Sequence, residues 1–155
     1  MYGTNLALGI CLFALLTVTP GQQAGYENLL TVNDVEEVTG FEGIKLVPPD
    51  PTIGAGGDLN FALADGTLLL MASIREAAMY DQWRGEEGYF HAPVADLGDV
   101  AFEGPSFGAH RYALIFRKGD TAIALLSFFN MQAGGEPFLS QEKLREIAGI
   151  VIPRL

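Results

Sequence analysis

The chain has 155 residues, 49% of them hydrophobic and 18% charged, which is enough apolar material for one packed core and excludes both a disordered chain and a second independent domain. Nine Lys+Arg against nineteen Asp+Glu give a net charge of -10, and no local basic patch offsets it, so nucleic acid is excluded as a partner.

Residues 1–26 carry no Asp, Glu, Lys or Arg, and within them residues 6–18 (LALGICLFALLTV) form an apolar run of 13. That is shorter than the roughly 20 residues that span a bilayer and has the length of a signal-peptide core. Residues 1–26 therefore read as a signal peptide or N-terminal anchor, with Thr19 and Gly21 at the -3 and -1 positions of a cut after Gly21. The expected location is secreted or periplasmic, with membrane contact only through this segment. Cys11 is the single cysteine, so the remaining chain has no disulfide and no cysteine-ligated metal. Ile10 stands where bacterial lipidation requires a small residue, and Cys11 reads as one more apolar residue of the signal core.

Residues 27–155 read as a single α+β domain. Thr31 caps a helix ending at Gly40, with Asp34 three residues on and Val32, Val35 and Val38 as its buried stripe. A short strand over 44–47 is closed by Pro48 and Pro49, and 53–57 is a glycine-rich turn. Leu59, Phe61 and Leu63 alternate along a strand, residues 67–74 form the next, and Asp65-Gly66 is the two-residue turn of the hairpin. A helix over 75–84 follows, then an irregular stretch over 86–99. Strands over 100–103, 111–117 and 121–129 come next, the last two joined by a tight turn at 118–120. Ser140 then caps a helix burying Leu144, Ile147, Ala148 and Val151. The order strand, hairpin, helix thus occurs twice. It predicts an antiparallel sheet of about five to six strands with helices packed on one face, a two-layer sandwich whose other face is open for binding.

No catalytic set emerges. Residues 104–108 (GPSFG) match the G-x-S-x-G nucleophile elbow, but a strand rather than a helix follows Ser106, and the only later histidine, His110, lies two residues past the motif. Glu87 and His91 are four apart, with Gly88 and Pro93 against a helix there, and no calcium loop accompanies Asp96, Asp99 and Glu103, so neither a metal nor a cofactor is expected. Glu36-Glu37 and Glu86-Glu87 are adjacent pairs whose side chains splay apart. Tyr80, Trp83, Tyr89, Phe90 and His91 fall within twelve residues and form the one candidate ligand-binding cluster. In one reading Tyr89 and His91 are an exposed aromatic lip, with Trp83 anchoring the helix beneath; in the other Tyr80 and Trp83 are simply core residues.

Residues 29–40 (LLTVNDVEEVTG), 93–102 (PVADLGDVAF) and 117–120 (RKGD) resemble a pattern in small exported bacterial proteins. Among these are actinobacterial lipoproteins of unknown function and the extracellular sensor domains of receptor-type Ser/Thr kinases. The resemblance implies an exported α+β domain and supplies no functional residue. The expectation is a non-enzymatic binding or sensor-like domain for a small molecule or an envelope protein. The alternative is a structural or accessory subunit docking on another protein of the cell envelope.

Overall fold

A computed structural model describes residues 25–48, 58–85, 92–105 and 110–155, apart from the side chains of His110 and Arg111. The N-terminal segment with Cys11, the glycine turn near Gly54, the Glu86-Glu87 pair, Tyr89, Phe90, His91 and Ser106 lie outside the described residues.

The local signals act where they are written. Helix α1 (Val32–Thr39) opens on a capping box: Asp34 N–H donates to Thr31 Oγ1 at 3.2 Å while the Asp34 carboxylate accepts from Thr31 N–H at 2.8 Å. Gly40 ends it in the left-handed conformation at φ 76°. Helix α3 (Gln141–Val151) starts from Ser140, whose hydroxyl accepts from Lys143 N–H, and buries Leu144, Ile147, Ala148 and Val151. Between them run β1 (Lys45–Val47), β2 (Asp58–Ala62), β3 (Leu68–Glu76), α2 (Ala78–Gly85), β4 (Ala92–Pro93), β5 (Val100–Pro105), β6 (His110–Lys118), β7 (Thr121–Asn130) and β8 (Glu136–Pro137).

The fold is α+β, built on an open antiparallel sheet in the order β1-β2-β3-β7-β6-β5-β4, with β8 added to the end of β7. Its eight strands exceed the expected five to six because β4 and β8 are two residues each, too short to leave any alternation in the sequence. The β2–β3 turn also differs in detail from the two-residue form. Leu63 N–H donates to Thr67 C=O at 2.8 Å and only Gly66 has positive φ, at 90°. This is a three-residue loop in which one left-handed residue suffices, and Asp65 accepts from Thr67 N–H at 2.9 Å to hold it.

Two three-strand meanders, β1-β2-β3 and β5-β6-β7, meet through the β3–β7 ladder, from Leu70↔Ser127 to Glu76↔Thr121. That ladder keeps Arg75 and Glu76 in the strand, so α2 begins at Ala78, three residues later than its sequence suggests.

One face of the sheet presents Leu59, Phe61, Leu70, Ala72, Ile74, Leu114, Phe116, Ile123 and Leu125, which cluster with Val35 of α1 and the buried stripe of α3. Each Leu, Ile, Val or Phe side chain among them contributes about 1.5–3 kcal/mol on burial, so this face carries most of the stability. Glu103 is buried on the same face, and Arg145 of α3 covers it with a two-pronged ion pair whose Nε–Oε2 distance is 2.9 Å.

Helix α2 departs from the single-face arrangement. Its Tyr80 packs with Phe102, Ala113, Ile115, Ala122 and Ala124, all of which alternate onto the opposite face. The reason is steric: small residues at 113, 122 and 124 leave a trough that an aromatic side chain fills. The second face is therefore partly covered, over β5, β6 and β7.

Candidate functional site

Helix α2 and the segment running from β4 into β5 flank a half-open cavity of about 340 Å³, lined by Tyr80, Arg84, Val94, Asp96, Leu97 and Phe102 among others. This lies at the small end of the range of roughly 300–1,000 Å³ typical of small-molecule sites. Tyr80 forms its fixed wall. The residue is 4% exposed, and its ring sits edge-on to Phe102 at 5.4 Å between centroids and 65° between planes, with the Arg117 guanidinium 5.6 Å from its centroid. Burial pushes the Tyr80 hydroxyl above the ordinary phenol range, while Arg84 and Arg117 nearby pull it the other way.

The opposite wall is a loop whose shape is set by two left-handed residues, Asp96 at φ 59° and Gly98 at φ 63°. Gly98 is obligatory: a Cβ there would lie 2.5 Å from the Arg117 carbonyl oxygen. Val94 N–H donates to Ala101 C=O at 3.0 Å and Asp99 N–H to Arg117 C=O at 2.8 Å, tying both ends of the loop to the sheet. The Asp99 carboxylate accepts from Gly119 N–H at 2.8 Å and from Lys118 Nζ at 3.2 Å. These bonds, Gly119 first, hold its carboxyl below the usual range.

The sequence-derived site residues separate here. Tyr80 lines the cavity, Trp83 packs partly buried against the second-face cluster, and Tyr89 and His91 lie outside the described residues. The buried anchor of α2 is Tyr80, whereas the aromatic-lip reading gives that role to Trp83. Tyr80 faces the trough of small residues, and Trp83, one turn on, reaches only its margin. Sequence reasoning passes over Arg84 and singles out Asp96 only within an acidic stretch, because a helix-end Arg and a turn Asp are both common surface residues.

A second polar group sits on the same sheet face. Asp58, with its side chain 1% exposed, accepts from Ser73 Oγ at 2.6 Å and pairs with Arg75 Nη2 at 2.9 Å, and Arg75 Nη1 donates to Ile74 C=O at 2.8 Å. Asp58 and Ser73 are directly opposed across β2 and β3, so the cluster locks the two strands in register. Among the described residues no three His, Cys, Asp or Glu side chains converge as metal ligands. No helix among them is long and apolar enough to cross a membrane.

No protein-family model matches the chain, and neither a curated protein nor a solved structure shows a significant match to it.

Proposed function

We propose that this chain is an exported, non-enzymatic binding or sensor-like domain that takes a small molecule in the cavity between α2 and the β4–β5 loop. The cavity itself carries the reading: a preformed concavity with an aromatic wall held by the sheet and a loop pinned at both ends. Among the described residues no hydroxyl of the lining is hydrogen-bonded to a base, and the Ser73–Asp58 contact lies elsewhere, inside an ion pair with Arg75. Among the described residues, the exposed large apolar side chains Leu46, Val100, Met131 and Leu155 fall on four separate segments, which favours ligand binding over docking by a broad apolar face. Export is supported by the uncharged first 26 residues with their 13-residue apolar run.

Two measurements test this. A thermal-shift screen of the full chain against a metabolite panel is expected to yield a stabilising ligand whose effect disappears in Ala95→Trp, a substitution at an exposed lining position that fills the cavity mouth. Ligands that stabilise both proteins equally overturn the assignment of the site. Fractionation of the native cells is expected to place the protein outside the cytoplasm, and intact Met1 in a soluble cytoplasmic fraction overturns export.

A further inference from the structure

We infer that the cavity is built for a zwitterion of the amino-acid class, with its carboxylate on Arg84, its ammonium on Asp96 and its apolar body against Tyr80 and Phe102. The inference rests on reading the cavity as the binding site. Asp99 is committed to Lys118 and to Gly119 N–H, and the Arg117 guanidinium lies over the Tyr80 ring. Arg84 and Asp96 differ: among the described residues neither makes an ion pair or a side-chain hydrogen bond, and although both line the cavity they do not pair with each other. Opposite charges that share a concavity without closing on one another leave a gap that a ligand bearing both signs can bridge.

Three further features fit that class. Guanidinium presents a fork of donors matched to a carboxylate, and a carboxylate is an acceptor-only partner for an ammonium's N–H groups, so each end is chemically matched. The left-handed backbone at Asp96 is held by the loop's ties to the sheet, which fixes where its carboxylate starts from. Finally, the same cavity is lined by Tyr80, Phe102, Val94 and Leu97, which favours an apolar or aromatic side chain over a polar one. A purely anionic ligand would meet Asp96 in the same volume, and a purely cationic one would meet Arg84.

The test uses the single tryptophan, Trp83, adjacent to Arg84, as the reporter. The full chain is titrated with L-phenylalanine, N-acetyl-L-phenylalanine and L-phenylalanine methyl ester to about 10 mM, well past the ~1 mM that corresponds to about 4 kcal/mol of binding. The expected result is saturable binding of phenylalanine, with each derivative weaker by about tenfold or more, as the loss of one charge-assisted contact implies. Arg84→Gln should bring phenylalanine down to the level of the methyl ester and leave the ester unchanged. Asp96→Asn, which keeps a residue tolerant of positive φ, should do the same relative to the N-acetyl compound. Equal binding of all three probes, indifference to both substitutions, or no binding of phenylalanine overturns the inference. If phenylalanine fails while another ligand binds in a manner sensitive to Ala95→Trp, the cavity remains the site and only the ligand class is wrong.

Discussion

Replacing Tyr80 by Ala removes the one fully buried side chain of α2, an eight-residue helix whose other contacts with the sheet, through Met79 and Trp83, are only partly buried. Truncating a buried aromatic ring costs about 3–5 kcal/mol, and the edge-on pairing with Phe102 accounts for about 0.5–1.5 kcal/mol of such a loss. The small residues 113, 122 and 124 beneath the ring cannot collapse into the space, so we expect about 4 kcal/mol for Tyr80→Ala. Trp83→Ala should cost about 2 kcal/mol, because part of that ring already meets water, and Tyr80→Phe less than about 1 kcal/mol. At about 3–4 °C per kcal/mol for a domain of this size, Tyr80→Ala lowers Tm by roughly 12–16 °C. Urea unfolding followed by far-ultraviolet circular dichroism measures all three on one scale without relying on tryptophan emission. An unchanged slope with a shifted midpoint marks a true loss of stability. A Trp83→Ala loss equal to or larger than that of Tyr80→Ala refutes the assignment of Tyr80 as the anchor and with it the fixed wall of the cavity.

The Asp58–Arg75 pair should respond asymmetrically to truncation: Arg75→Ala is expected to cost about 4 kcal/mol and Asp58→Ala about 3 kcal/mol. The Arg75 side chain is 23% exposed and can turn to water, whereas the Asp58 side chain, 1% exposed, cannot. Equal losses in chemical denaturation would remove that argument. Asp34 accepts from Arg154 at 2.6 and 2.9 Å, and this contact first, with Thr31 adding to it, holds the carboxyl well below the usual range. A depressed folded-state pKa gives stability that is complete above the unfolded value of about 3.9 and is lost as pH falls below it. Asp34→Asn should therefore narrow the gap to wild type progressively between pH 5 and pH 3, and a gap that stays constant across those urea midpoints contradicts the linkage. Gly98→Ala should cost about 2–3 kcal/mol, because its Cβ meets the Arg117 carbonyl oxygen. Gly119→Ala, with similar φ and open space around it, should cost only about 1 kcal/mol, and equal Tm shifts for the two would show that conformation rather than contact decides.

Structure that forms within a few residues is legible in the chain alone. The Thr31–Asp34 box, the Gly40 stop, the Ser140 cap and the positive-φ glycines at 66 and 119 each act across a span of three or four residues, so the groups that satisfy one another are visible side by side. The alternation of Leu59 with Phe61 and the spacing of Leu144, Ile147, Ala148 and Val151 likewise follow from the periods of strand and helix, and together these fix the α+β class. The remaining features arise from long-range packing. The β3–β7 ladder joins the two meanders and moves the start of α2, and nothing near residue 75 announces a partner at 122. The sequence repeats strand, hairpin and helix, yet α3 and α2 cover opposite faces, because face choice depends on which surface offers a trough of small side chains once the sheet is assembled. Arg145 reaches Glu103 across 42 positions, and Arg84 and Asp96 share a cavity only because a helix end and a loop are brought together by the strands between and beside them. Periodicity reports the face a residue occupies within its own element. The partner that face will meet is set by chain entropy and packing summed over the whole sheet, and no local pattern encodes that sum.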